Sequence, residues 1–334
     1  MRILNLHSTA FVPTFRDLGH EVLSLGPQAG CDVPLAGPLS AKRLTELLAA
    51  RGFSPDLVFW CDACQVPWIF GFETLPAVVI GYSVDQYMNP WHVPYSAGFD
   101  AVGVAQKEYL RFFQSAPTDR PALWLPLFCD PARCLGPDSP RDIPVSFVGT
   151  LEGRINAARK PFLHAFKTGA PLFLTSGDYG PVFRRSRLVL NQSAAGELNF
   201  RIFEAMGCGA ALLTEAVGNG LTDLFKPDAE LFTYARGNAS DAIRVARRAL
   251  ADPRLPELAA AGRDKVLTRH TVQARAKTIL ALATRLAAQR APAKRLHALR
   301  AVRSEVGKAY AMLAVDETLP LADAERRFFL EQGR

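Results

Sequence analysis

Short, nearly unbroken apolar runs recur along the chain with amphipathic stretches between them, and this pattern narrows the fold further than any other feature. The first are residues 2–6, 21–25, 56–60, 77–80 and 122–125. A strand with one wet face alternates apolar and polar residues; these runs do not alternate, so they belong to a parallel sheet covered by helices on both sides. Helix signals fill the gaps. Ser40 can cap the run Ala41–Ala50, where Leu44, Leu47 and Leu48 share one side and Gly52 closes it, and Lys107–Phe113 is a second candidate. Linker composition follows at residues 135–142, and the pattern restarts with runs at 144–149, 171–175, 187–191, 210–214 and 230–234. From Asp241 the sequence is helical almost to its end, punctuated by Pro253, Pro256, Pro292 and Pro320. The prediction is an α/β protein of two doubly wound Rossmann-like domains, residues 1–140 and 141–285, facing a ligand cleft at the carboxyl ends of the strands, with a basic helical extension over 286–334. A length of 334 residues suits two domains and a short addition.

Composition bounds the partners. The formal net charge of +7 is far below that of an arginine-rich nucleic-acid arm, so no nucleic-acid partner is expected, whereas an anionic small molecule or membrane surface fits. Basic residues gather at Arg285, Arg290, Lys294, Arg295, Arg300, Arg303 and Lys308 against the single acid Glu305. Such a run reads first as a solvated helix face and second as a peripheral contact with anionic lipid through residues 285–308. No window has the ~18 consecutive apolar residues of a membrane span, and the start lacks the apolar core of a signal peptide, so a cytoplasmic protein is expected, with the inner membrane face as its peripheral option. Six cysteines in so long a chain are not a disulfide framework. Cys61 and Cys64 have redox and zinc spacing, with Cys129 and Cys134 as a loose second pair; no histidine lies close in sequence and Cys61 ends an apolar strand, so the pair is read as structural and no metal site is expected.

The chemistry concentrates in residues 191–210, which read as strand, polar loop, helix and glycine stop. Asn199 is a plausible cap, and the first turn after it, from Phe200, would point free backbone N–H groups at a ligand where the helix dipole favours an anion such as a diphosphate. Arg201 sits in that turn. Glu204 follows three residues later on the same face, where a carboxylate can accept hydrogen bonds from both hydroxyls of a ribose; a surface arginine–glutamate pair would have the same spacing.

The stretch from Asn199 through Arg201, Glu204, Gly207 and Gly209 to Thr214 resembles the donor-nucleotide segment of GT-B glycosyltransferases, in particular the bacterial spore-maturation-type group and the group 1 C-terminal domain. Residues 145–150 with Arg154 resemble that group's opening strand of the second domain, residues 221–225 a later element, and Arg269, His270, Thr271 and Arg275 its late signature. The resemblance covers about residues 140–282. It implies a transferase that moves a sugar from a nucleotide-diphosphate donor to an acceptor hydroxyl on a glycan, a lipid-linked glycan or a protein. Neither a cofactor nor an obligatory metal is implied, in keeping with the lack of an Asp-x-Asp triplet. By the same resemblance Glu204 holds the ribose, Arg201 the diphosphate, and Gly149 and Arg154 line the phosphate end. One departure stands out: retaining members carry two glutamates with seven residues between them, and counting back from Glu204 on that spacing reaches Gly196, with Glu197 one place late. Two other readings share the fold, a non-catalytic subunit that binds a partner or membrane and a sugar-nucleotide epimerase.

In the first domain, residues 81–86 follow an apolar strand and therefore lie at a carboxyl end. Asp85 is the leading candidate general base for the acceptor hydroxyl, with His92 and His7 as rivals. Tyr82, Tyr87, Trp91 and Tyr95 crowd the same region, as sugar-stacking groups or as core. His270 and Thr271 are read as starting a return helix. No Gly-x-Gly-x-x-Gly follows the first strand, which argues against a dinucleotide fold.

Overall fold

The computed structural model describes residues 1–114, 120–136 and 139–333. Pro137 and Asp138 of the expected linker, and Arg334, lie outside the described residues. The chain divides into two compact units, Met1–Leu125 with Ala276–Arg334, and Pro126–Arg275.

The first unit is built on a seven-stranded sheet. Its strands are β1 (Arg2–His7), β2 (Glu21–Gly26), β3 (Val33–Pro34), β4 (Leu57–Cys61), β5 (Val78–Ser83), β6 (Ala101–Val104) and β7 (Ala122–Trp124). They run in the order β3-β2-β1-β4-β5-β6-β7 and pair in parallel throughout. Every residue of β4, β5 and β6 is buried, which is why these runs do not alternate. β6 escaped the sequence reading because it is four residues long and interrupted by Gly103. Ser40 caps the helix Ala41–Ala50 as expected, its side chain accepting from Arg43 N.

The C-terminal helices correct the expected division. Rather than forming a separate extension from 286, the chain returns at 276 to the first unit, where Val302, Val306, Ala309, Tyr310, Leu313 and Phe329 join the core that holds Trp60, Phe70 and Tyr95. Helices Leu299–Val315 and Asp323–Gln332 thus cover apolar surface that residues 1–125 leave open. Nor is the basic run one solvated face: Arg295 is buried, ion-paired with Asp100, and donates to the carbonyls of Glu73, Leu75 and Ala77.

The second unit has five strands, β8 (Ile143–Val148), β9 (Phe173–Thr175), β10 (Ser186–Leu190), β11 (Ala211–Glu215) and β12 (Phe232–Tyr234). The order is β12-β11-β10-β8-β9, again all parallel. Helix Arg159–Gly169 packs on Ala239–Ala251, and Phe200–Gly207 packs on Leu255–Arg269. His270 ends the last of these helices, and Thr271 caps the next by accepting from Ala274 N through its hydroxyl. Arg275 donates to the carbonyls of Pro126, Leu127 and Arg269, tying the entry of this unit to its exit. The unit therefore begins ahead of the glycine- and proline-rich linker. Among the described residues no helix is long and apolar enough to cross a membrane.

Candidate functional site

In a doubly wound sheet, ligands bind beyond the carboxyl ends of the strands where the strand order reverses. In the second unit the reversal lies between β8 and β10, hence at Val148–Gly149 and Leu190–Asn191. Helix Phe200–Gly207 begins there from Asn199, an extended N-cap residue (φ −93°, ψ 168°) whose side chain does not close the first turn. Asn199 Oδ1 is enclosed without a hydrogen-bond partner among the described residues.

Arg201 reaches from that turn across the strand ends. Its Nε donates to Val148 O at 2.9 Å, its Nη1 donates to Asn191 Oδ1 at 2.8 Å, and the guanidinium lies 4.2 Å over the Phe147 ring. Nη2 makes no hydrogen bond to a described residue and rests against Gly149, where a Cβ would come within 2.2 Å of it. Gly149 thus makes room for the guanidinium. Burial and the neighbouring Arg159 bring the pKa of Arg201 down to about 10, which leaves it charged at neutral pH.

Glu204 shares the helix face with Arg201 but forms no ion pair with it, and its half-buried carboxyl makes no hydrogen bond to a described residue. Burial raises its pKa to about 7 against the opposing pull of Arg201, with Cys134 and Arg133 also close. Phe200 packs edge-on against Phe128 at 5.4 Å between ring centroids. Arg154 lies exposed in the turn Arg154–Asn156, without a partner among the described residues.

Asn191, Arg159 and Glu215, to which the sequence assigns no role, shape this place together with Glu197. Asn191 accepts from Arg201 and donates to Thr214 Oγ1 at 2.9 Å. Arg159 is buried and donates to Thr150 O at 2.7 Å and to the side chain and carbonyl of Gln192. Glu215, buried at the end of β11, accepts from Ser193 N and Oγ and from Gly237 N. Glu197 accepts from Ala194 N at 2.9 Å and Ala195 N at 2.6 Å, so its carboxylate closes its own loop. Gly196 beside it is left-handed (φ +84°). These buried polar groups stiffen the loop 191–199. Asn191 and Glu215 are signalled in the sequence as polar residues at the end of an apolar run; Arg159, at the start of a helix, has no such signal.

In the first unit the strand order reverses between β1 and β4, whose ends are His7 and Cys61. The candidate bases gather about a buried carboxylate, Asp62, which accepts from Cys64 N and Asp85 N at 2.9 Å each and lies 3.9 Å from His92 Nε2. His7 is 1% exposed, accepts from Trp68 N at 3.2 Å through Nε2, and has its pKa lowered to about 4 by burial. His92 is equally enclosed; its Nδ1 meets Ser83 Oγ at 2.9 Å, its Nε2 lacks a partner among the described residues, and burial lowers its pKa. Asp85 alone of the three is half exposed, held by Tyr87 OH at 3.0 Å and Cys64 Sγ at 2.7 Å. Of the four aromatic residues expected near it, Tyr82, Trp91 and Tyr95 are core, and only Tyr87 is partly open. All six cysteines are free; Cys61 and Cys64 belong to the first unit, and Cys129 and Cys134 pack with Cys208 in the second. Among the described residues no cluster of histidine, cysteine and carboxylate is arranged to hold a metal ion.

Residues 143–281 match the model of the glycosyl transferase-like family. No curated protein matches the sequence. Among solved structures the chain is similar to Anabaena HepE in complex with UDP and glucose, at 13% identity and a TM-score of 0.64, covering 86% of this chain and 100% of that one. It is also similar to a glycosyltransferase from Rickettsia africae, at 11% identity and a TM-score of 0.63 over 85% and 98% of the two chains. Sucrose-phosphate synthase from Thermosynechococcus elongatus gives 13% identity and a TM-score of 0.62 over 86% and 100%. These likenesses establish that the chain has the α/β fold of the GT-B glycosyltransferases.

Proposed function

We propose that the protein is a glycosyltransferase of the spore-maturation type that binds a nucleoside diphosphate sugar on its second unit and transfers the sugar to an acceptor hydroxyl presented by its first. One observation carries the reading: at the strand-order reversal of the second unit, Arg201 is fixed by two hydrogen bonds and an aromatic face while its Nη2 stays unbonded to any described residue. A guanidinium held in this way needs no reorganisation to meet a phosphate oxygen. The first turn of helix Phe200–Gly207 adds its dipole, and Glu204, three residues on, offers two acceptor oxygens to a ribose. The helix dipole and Arg201 together offset the charge that grows on the departing diphosphate, so we read the transfer as independent of a metal. Its activity in the presence of a chelator checks that point. Asp85, the half-exposed member of its carboxylate cluster, is the group we assign to remove the acceptor's proton.

The test is calorimetric titration with a nucleoside and with its diphosphate, starting from uridine compounds because the similar Anabaena structure holds UDP. Arg201→Ala is expected to weaken diphosphate binding ten- to a hundredfold and leave the nucleoside nearly unchanged. Glu204→Gln is expected to weaken both, since charge-assisted hydrogen bonds contribute about 1.5–3 kcal/mol each. Equal losses of the two ligands in both variants, with folding intact, would show that this helix is not the donor site.

A further inference from the structure

At the amino ends of β8 and β11, and so at the edge of the second sheet opposite the donor site, lies a cavity of about 560 Å³. Two kinds of surface line it. One wall is apolar, formed by Leu255, Pro256 and Ala259 from the helix Leu255–Arg269. The other carries Arg141, Arg187 and Arg263.

The arginines are placed in a way that an ordinary solvated surface does not require. Arg141 is stapled by donating to the carbonyls of Phe183, Ser186 and Cys208, and no carboxylate among the described residues pairs with it. Arg263 closes on it over Gly209: a Cβ there would stand 2.7 Å from Arg141 Nη2 and 3.8 Å from Arg263 Nε. A side chain here would collide with the Arg141 guanidinium and only touch Arg263, so the glycine makes room for Arg141 beside Arg263, and its backbone is left-handed (φ +77°). Burial, and then repulsion from Arg263, lower the pKa of Arg141. Arg187 adds a third charge, donating to Leu250 O at 3.0 Å. Asp264 is the one acid on the rim and forms no ion pair with any of the three. Two like charges held together beside an apolar wall disfavour the empty state and favour an anion whose other end is apolar.

We infer that this cavity is a second binding site, for an amphiphilic phosphate: a phosphate monoester headgroup on the Arg141–Arg263 pair with a hydrocarbon chain along Leu255, Pro256 and Ala259. The inference is independent of the donor site, whose residues lie at the other ends of the strands. The same chemistry is offered by a membrane lipid and by a soluble phosphate ester, and the experiment separates them.

The probe is n-octyl phosphate below its micelle concentration, titrated calorimetrically against the full chain, with inorganic phosphate and octanol as controls. Saturable binding at least tenfold tighter than either control is expected, because each control lacks one of the two contacts. Arg263→Glu is expected to weaken octyl phosphate about tenfold or more while leaving UDP binding unchanged, and Arg263→Gln to weaken it less. Arg263 is exposed and donates to no carbonyl of a described residue, so the variants are expected to keep the wild-type thermal unfolding, which reports that they are folded. Co-sedimentation with vesicles containing phosphatidic acid, sensitive to Arg263→Glu, would assign the headgroup to a membrane lipid; binding of the soluble ester without vesicle binding would assign it to a metabolite. Octyl phosphate binding no tighter than inorganic phosphate, or unaffected by Arg263→Glu, would overturn the inference.

Discussion

Donor binding is expected to depend on pH through Glu204. Its carboxyl is raised from an ordinary value of 4.5 to about 7, chiefly by burial. The folded protein therefore holds this proton more tightly than the unfolded chain does. The resulting stabilisation is complete below pH 4.5 and is lost as the pH rises through 7; it amounts to about 3 kcal/mol from the shift alone and about 2 kcal/mol once partial exposure is allowed for. A ribose reverses the preference, because both its hydroxyls donate and only the ionised carboxylate has acceptors to spare. If the ionised form alone binds, about half the protein is competent at pH 7 and about 1% at pH 5, so affinity falls roughly a hundredfold below its value at pH 8. The assay is titration with a nucleoside, which has no phosphate of its own to titrate, between pH 5 and 8 in two buffers of different ionisation enthalpy. About half a proton is expected to leave per nucleoside bound at pH 7. Glu204→Gln is expected to bind more weakly at pH 8 and to show a flat profile. A wild-type affinity that does not vary between pH 5 and 8, or an unchanged slope in Glu204→Gln, would refute the assignment of this carboxyl to the ribose.

Gly149→Ala places a methyl group against Arg201 Nη2 and is expected to cost about tenfold in diphosphate affinity with little effect on the nucleoside, as read by the same titration. Asp85→Asn is expected to abolish transfer and spare donor binding; near-normal turnover would remove Asp85 as the base. Arg295→Met leaves Asp100 buried without its cation and is expected to destabilise the first unit by about 3–5 kcal/mol in denaturant unfolding, with much of the loss recovered when Asp100→Asn is added. The ring protons of His7 are expected to show no titration by NMR between pH 5 and 8, since its pKa is held near 4; a midpoint near 6.5 would show that the ring is open to solvent.

The sheets were legible because parallel strands buried on both faces cannot hide: β4 and β5 are apolar at nearly every position, and such runs have few other homes. The helix Phe200–Gly207 was legible for a different reason. Its arginine and glutamate stand on one face of a turn that must open at a strand end, so spacing and topology agree on their position. What the sequence conceals is commitment. His7 and His92 carry the same imidazole as any catalytic histidine, but burial and, for His7, the backbone N–H of Trp68 occupy them; that depends on Trp60 and Trp91 packing against their rings. The return of the chain at 276 was hidden likewise. Helix Leu299–Val315 is apolar along one side, and what that side covers depends on the surface that residues 1–125 leave bare.

The arginines make the same point about charge. A net +7 suggests a positive surface, and the basic run from Arg285 to Lys308 sharpens the suggestion. Yet Arg159, Arg275 and Arg295 are each buried and directed mainly at main-chain carbonyls, and Arg141 binds three more. A guanidinium has five donors in a plane and cannot shed its charge, so it can join three carbonyls from segments distant in sequence where a lysine would reach one. In this chain arginine works as a clamp between elements whose carbonyls lie in loops, at helix ends or beside strand ends. Arg201 is such a clamp with one nitrogen left over. On the proposed function, the difference between a structural arginine and a ligand-binding one here is a single unbonded Nη2 and the glycine beneath it. This is why Arg201→Lys, which keeps the cation and loses the fork, is expected to behave like Arg201→Ala toward a diphosphate; wild-type affinity in Arg201→Lys would mean that charge alone, and not the fixed fork, holds the phosphate.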